Sequence, residues 1–221
     1  MIPNNAVTTT EIEPGSSLCD GDTAPGAAAC AAKVRVRDRI FDTACELFYR
    51  QGIRGVGVDA IASEAGTNKM SFYRSFPSKD ELVAEYVREA ARQFDAWWQQ
   101  TIAPHAGDPR RQAEALFEAT VDRPTQHCDR GCAMANVMVE IHEQDHAALQ
   151  VVREHKADVR QRLRRLAADM GAREPEQLGD ALMLLLGGTH QTRMMFAAND
   201  SPVAVAACAA KTLIEAHLRR G

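Results

Sequence analysis

The stretch IFDTACELFYRQGIRGVGVDAIASEAGTNKMSFYRSFPSKDELV, residues 40–83, reads as three helices in quick succession followed by the start of a fourth. Ile40, Ala44, Leu47 and Phe48 fall on one stripe of a helix from about Lys33 to Gln51, while Arg35, Arg37, Arg39 and Arg50 stay solvated. Gly52 stops it. A second helix covers Val58 to Ala65 with Ile61 and Ala65 inward, and Gly66 ends it. A third, Asn68 to Phe76, starts on an asparagine cap. Pro77-Ser78 breaks the pattern, and Ser78 caps a long helix that begins near Lys79 and reaches Ile102. Its inward stripe is Leu82, Tyr86, Ala90, Phe94, Trp97 and Trp98.

Two short helices joined at Gly66-Thr67 have the geometry of a helix-turn-helix. Gly66 permits the left-handed backbone of the turn, and Ala62 and Ala65 are small enough for close approach. The second helix of such a motif enters the major groove of DNA with its N-terminal residues on base edges. Its exposed face here carries Asn68, Lys69, Met70, Tyr73 and Arg74, a mixture of phosphate and base-edge chemistry. An ordinary helical hairpin with a solvated face is the plainer reading of the same spacing.

Beyond spacing, the wording of residues 40–83 closely resembles the DNA-binding region of the TetR family. The matching features are Ala44, Leu47 and Phe48, then Gly52, Ile61-Ala62, Ala65-Gly66, Tyr73, Phe76, Lys79 and Leu82, in the family's order. The match covers about a fifth of the chain. The resemblance implies that Asn68, Lys69 and Met70 open the recognition helix and touch phosphates and bases. It also implies that the Tyr73 hydroxyl meets the DNA backbone and that Lys79 stands near phosphate. Phe72 and Phe76 match core positions. Three positions depart from the pattern: Ser75 stands where the family often has a phosphate-contacting His, and Val56 and Gly57 stand where Thr or Ser caps the second helix. Arg54 and Arg74 are the candidates for replacement contacts.

Charge distribution points the same way. The chain of 221 residues has a net charge of −4, but residues 33–79 hold nine basic side chains against five acidic ones, a local +4. A positive segment on a negative body suits a modular DNA binder, because phosphate contacts dominate affinity. Residues 1–32 carry four acids, no Lys or Arg, and hardly any large apolar side chain, so they read as a disordered tail. The start lacks a basic region followed by an apolar stretch, and no apolar run approaches a membrane span, which makes the cytoplasm the expected compartment. Six scattered cysteines (Cys19, Cys30, Cys45, Cys128, Cys132, Cys208) are expected as thiols there.

Behind the first four helices the pattern stays helical. Pro104 and Gly107-Asp108-Pro109 make a break and a fresh start that ends before Pro124, and residues 125–131 form a loop. A sixth helix runs from Gly131 to about Glu143. Asp145 caps a seventh reaching Met170, with Leu149, Val152, Val159, Leu163 and Leu166 as its stripe. The eighth spans about Glu176 to Asn199, and Ser201-Pro202 opens the last, which continues to about Arg219. Residues 182–188, LMLLLGG, are apolar nearly all round, and the paired glycines lower helix propensity, which suggests close approach of another helix. The last helix adds a small-residue stripe of Val205, Cys208, Ala209, Leu213 and Ala216. The resemblance implies that these two helices and their mates form a homodimer interface.

Two local patterns invite other chemistry. His142-Glu143-Gln144-Asp145-His146 spells the zinc-protease signature, which needs both histidines on one helix; Asp145 read as a cap places it across a junction instead. His127-Cys128 with Cys132 could hold a metal or a redox pair, against packing as buried thiols. The rival reading of the chain is therefore a metal- or redox-responsive module, or a metallohydrolase, built on His142, His146 and Cys132. Methionines and aromatics of the C-terminal part are ordinary core residues by pattern, yet they suit a ligand cavity between helices. The candidates are Trp98, Phe117, Met134, Met138, His142, His190 and Met194.

The sequence thus predicts an all-α protein: a tail (1–32), a three-helix helix-turn-helix domain (33–78) and a helical ligand-binding and dimerisation bundle (79–221). The function expected is a dimeric repressor of transcription, not an enzyme. It would bind double-stranded operator DNA through Arg54, Asn68, Lys69, Met70, Tyr73, Arg74 and Lys79, and a small-molecule effector would control it. No cofactor, metal or membrane enters this reading.

Overall fold

The computed structural model describes residues 35–122, 130–197 and 200–218. Among them the chain forms nine α-helices and no strand. The sequence reading of residues 1–32, of His127 and Cys128, and of Asn199 and Arg219 lies outside the described residues.

Helix α1 (Val36–Gln51) buries Ile40, Ala44 and Phe48, one residue per turn, and ends where Gly52 takes φ 83° and donates its N–H to the Phe48 carbonyl. Helix α2 (Val58–Glu64) has no side-chain cap at Gly57. Its end is a double closure: Gly66 N–H bonds to Ser63 O, and Thr67 N–H reaches back to Ala62 O, at 3.0 and 2.9 Å. That pairing needs the left-handed residue between, and Gly66 supplies it at φ 64°. Helix α3 (Lys69–Ser75) begins on Asn68, whose Oδ1 accepts the Ser71 N–H at 2.9 Å. Helix α4 (Lys79–Ile102) begins on Ser78, whose Oγ accepts the Glu81 N–H at 3.1 Å, with Asp80 and Glu81 favourably placed in its first turn.

After a 3-10 turn at Ala103–His105, Asp108 caps α5 (Pro109–Asp122) through the Arg111 N–H. Then follow α6 (Ala133–Glu140), α7 (Ala147–Asp169), α8 (Pro175–Thr192), a 3-10 turn at Pro202–Val205 and α9 (Ala206–Leu218). Several boundaries differ from those read in the sequence, among them the start of α9, which follows a 3-10 turn opened by Ser201-Pro202. Helix α6 stops at Glu140, three residues early, where Ile141 turns to extended backbone and the Glu140 carboxylate accepts two N–H groups of the α1–α2 loop. The cap of α7 is His146 and not Asp145: its Nδ1 accepts the Ala148 N–H at 3.1 Å. Helix α8 ends at Thr192, where Arg193 turns aside to bond the carbonyls of Thr120 and Val121 at the end of α5.

Two buried clusters hold the helices. One joins Ile40, Phe48, Ile61, Phe72, Phe76, Leu82 and Tyr86 of the first four helices to Val137 and Ile141 around α6 and to Leu149 and Val152 of α7. The other joins Trp98, Phe117, Val159, Leu163, Leu178, Leu182 and Ile214 across α4, α5, α7, α8 and α9. The helix-turn-helix therefore has no core of its own; it shares one with α4, α6 and α7. Helices α7 and α8 make the most extensive pair. They meet so closely that a Cβ on Gly179 would lie 2.6 Å from Arg164 Cα.

Candidate DNA interface and ligand cavity

Helix α3 sits on the shared core through Phe72, which is fully buried, and Phe76 just beyond its end. Phe76 is covered in turn by the Arg37 guanidinium, 4.6 Å above its ring, and Arg37 is tied to Glu85 of α4 at 2.6 Å. This fixes which face of α3 looks outward. Met70 is 69% exposed and Tyr73 49%, an unusual presentation of large side chains on so short a helix. Lys69 and Arg74 flank them, also exposed. Lys69 Nζ lies 3.1 Å from Asp59 Oδ2 of α2, and Arg74 rests on Ser71 Oγ at the same distance. Both are solvent-screened contacts that a phosphate displaces at little cost.

The other nominated residues do different work. The Asn68 side chain is engaged in capping α3. Lys79 is half-buried, donates to the Ile53 carbonyl at 2.6 Å, and stands 6.0 Å over the Phe48 ring; burial lowers its pKa from the ordinary lysine value. The Arg54 guanidinium lies 3.7 Å from Glu143, while its backbone N–H donates to Glu140. Lys79 and Glu140 thus grip the α1–α2 loop from two sides. Sequence reasoning missed Glu140 because its partners are more than eighty residues away, and no local pattern marks such a contact.

A cavity of about 670 Å³ opens between α1, α4, α7, α8 and the start of α6. That is the size of a drug-like ligand site, and its lining is mostly apolar. Of the nominated ligand residues, Met134 and His190 line it. Trp98 and Phe117 are buried in the second cluster. Met138 is exposed on α6, His142 is exposed in the α6–α7 connection, and Met194 lies against Gly131 beside the cavity. The walls also include Cys45 and Tyr49 of α1, Phe94 of α4 and His155 and Lys156 of α7. Helix α1 was missed because Cys45 and Tyr49 form a second stripe, one residue round from Ala44 and Phe48, that periodicity does not single out.

Local electrostatics sort the wall. Burial, helped by Asp42, pushes the Cys45 thiol up to about 12, so it stays protonated and unreactive. Burial lowers the His155 pKa, and the ring packs edge-on against Phe94 with centroids 5.2 Å apart. Cys132 Sγ accepts from Lys156 Nζ at 3.8 Å. At the mouth, Tyr49 Oη accepts the Arg130 N–H at 3.1 Å and donates to Gly131 O at 3.3 Å, which ties α1 to the segment leading into α6.

The zinc-protease pattern does not assemble. His142 is non-helical, and His146 is the cap of α7 with its Nε2 3.6 Å from Asp80. Among the described residues no three His, Cys, Asp or Glu side chains are grouped as a metal site.

A helix-turn-helix with large and cationic side chains on its outward face, carried on a helical body with a cavity, is the architecture of helix-turn-helix regulators. Residues 40–86 match the family described as bacterial regulatory proteins of the tetR family. The HTH-type transcriptional regulator YxaF of Bacillus subtilis is 31% identical over 88 residues, 39% of this chain and 46% of that one. The HTH-type transcriptional repressor DhaR of a Mycobacterium species is 24% identical over 110 residues, 50% of this chain and 54% of that one. The chain spans about half the length of these curated relatives. The match to solved structures is wider: a TetR-family transcriptional regulator of Streptomyces coelicolor superposes with a TM-score of 0.76 at 25% identity, over 83% of this chain and 96% of that one. Residues 40–86 are thus similar in sequence to the tetR family, and the described chain shares its fold with a solved TetR-family regulator.

Proposed function

We propose that this protein is a cytoplasmic repressor that binds operator DNA as a homodimer and is controlled by a small molecule held in the cavity. The observation that carries the reading is the α3 surface: Met70 and Tyr73 stand out between Lys69 and Arg74 while Phe72 fixes the helix beneath them. A solvated helix face has no use for two large exposed side chains flanked by cations; a helix inserted between phosphate ridges does. Exposed Leu184 of α8, which also lines the cavity with Gly187 and Gly188, and the exposed Cys208, Thr212 and Ala216 of α9 support pairing through these two helices. Among the described residues no helix is long and apolar enough to cross a membrane.

Selection of binding sites from random duplex DNA tests this. The expected outcome is an inverted repeat whose half-sites lie one helical turn, or a multiple, apart. Recovery of no enriched sequence, or binding unaffected by Lys69→Ala and Tyr73→Phe together, would remove α3 from the interface.

A further inference from the structure

We infer that the cavity takes an anionic amphipath, an apolar molecule bearing a single carboxylate or like anion, and that Lys156 receives its charge. This deepens the effector-cavity reading above and rests on it. Among the described residues lining the cavity, Lys156 is the one lysine or arginine, set in a wall of largely apolar atoms. Its contact is the Cys132 sulfur at 3.8 Å, and a thiol is a weak acceptor. No carboxylate among the described residues pairs with it.

Both acids among the described lining residues are already paired. Glu89 accepts from Arg92 Nε and Nη2 at 2.9 and 2.6 Å and from Gln93 at 3.0 Å, and these bonds hold its carboxyl below the usual range. Glu46 pairs with Arg50 at 3.1 Å on the exposed side of α1. Among the described lining residues the uncompensated charge is therefore positive and belongs to Lys156. An ammonium beside an apolar wall is stabilised by an anion brought with the ligand, and the apolar remainder of the ligand covers Phe94, Met134 and Leu186. His155, next to Lys156, has a lowered pKa and adds a neutral hydrogen-bonding group in place of a second cation.

Calorimetric titration of the full-length protein with decanoate, decanamide and decylammonium tests the assignment. The three probes share one chain and differ in charge. Wild type binds decanoate about tenfold or more tighter than decanamide, as a charge-assisted contact gives, and decylammonium weakest. Lys156→Met reduces decanoate to the level of decanamide and leaves decanamide unchanged; Lys156→Arg retains the preference; Lys156→Glu turns it toward decylammonium. Equal binding of decanoate and decanamide by wild type, or a preference that survives in Lys156→Met, overturns the anion assignment and leaves the cavity reading standing. Binding of none of the three by folded wild type overturns the cavity reading and the assignment with it.

Discussion

The Glu140 carboxylate accepts the Ile53 N–H at 2.6 Å and joins the last turn of α6 to the loop between the first two helices of the DNA-binding unit. The same oxygen accepts the Arg54 N–H at 3.1 Å, and Lys79 Nζ holds the Ile53 carbonyl from the opposite side. The other end of α6 carries Cys132 and Met134 into the cavity wall. One short helix therefore touches both the ligand space and the loop that positions α2. Glu140→Ala leaves two backbone donors to water, and chemical denaturation should show a loss of about 1–3 kcal/mol. Effector-dependent change in operator affinity should shrink more than effector-free affinity does. An unaltered effector response would place the coupling elsewhere, in α4 or in Tyr49.

Operator binding should respond in opposite directions to the two partners of one surface ion pair. Lys69 and Asp59 are 3.1 Å apart and both well exposed, so the pair itself contributes little stability. Lys69→Ala should weaken binding by about 1–3 kcal/mol if the side chain reads a base, and less if it meets only phosphate. In the phosphate case the slope of log affinity against log salt should fall by about one. Asp59→Asn removes an anion that competes with DNA for Lys69, and should tighten binding. Fluorescence anisotropy across a salt series measures both.

Acid should loosen the packing of α5 against α9 through Glu118. Its carboxylate is bound by Arg111 at 2.8 Å and by Lys211 of α9 at 2.7 Å, and these hydrogen bonds hold its pKa at about 2. A depressed carboxylate pKa stabilises the fold above the unfolded value of 4.5 and loses that contribution as pH falls toward 2. The stability difference between wild type and Glu118→Gln should be full at neutral pH and vanish over that window. Thermal melts of both proteins from neutral pH to about pH 2 give the comparison; a constant difference would mean that the pair adds nothing through charge.

Trp98 and His190 should separate packing from ligand response. Trp98 is 2% exposed within the second cluster, 5.8 Å beneath the Arg162 guanidinium, so Trp98→Ala should cost about 3–5 kcal/mol in denaturant. His190 lines the cavity, and its Nδ1 donates to Leu186 O at 2.8 Å within its own helix. His190→Ala should shift effector affinity with little loss of stability. The reverse pattern would exchange their roles.

What the sequence made legible was local. Gly66 and Thr67, the Asn68 cap and the Ser78–Glu81 pairing each act within a few residues, so the bounds of α4 and the turn before α3 could be read directly. The cavity could not, because it depends on which second stripe of α1 faces α7 and α8. Met134 and His190 were found there, whereas Trp98 and Phe117, with the same apolar character, are enclosed by α5, α7 and α8. Hydrophobicity alone does not distinguish a wall with a partner from a wall without one. The glycines of α8 show the same limit. Gly187 and Gly188 meet no close neighbour inside the chain, and the tight approach falls at Gly179, which nothing in the sequence set apart.

That open space makes the dimer testable without disturbing the protomer. A Cβ on Gly188 has no atom within 4 Å, so Gly188→Glu adds no clash inside the chain, and its carboxylate stands where the cavity lining opens toward solvent or a partner. Leu184, one turn earlier, is 77% exposed, and Cys208, Thr212 and Ala216 form an exposed stripe on α9 at the same four-residue spacing. A face of that composition is stabilised by covering it, and a closed two-fold pair covers both copies at once. Gly188→Glu buries two like charges near the axis of such a pair and should yield a folded monomer with unchanged helical circular dichroism. Operator binding should be lost with it, because one recognition helix retains only half the contacts. Gly179→Ala provides the contrast: its Cβ meets Arg164 Cα, so the fold itself should weaken. Sedimentation equilibrium at micromolar protein decides the matter: a wild-type chain that is monomeric and still binds its operator with full affinity would refute pairing through α8.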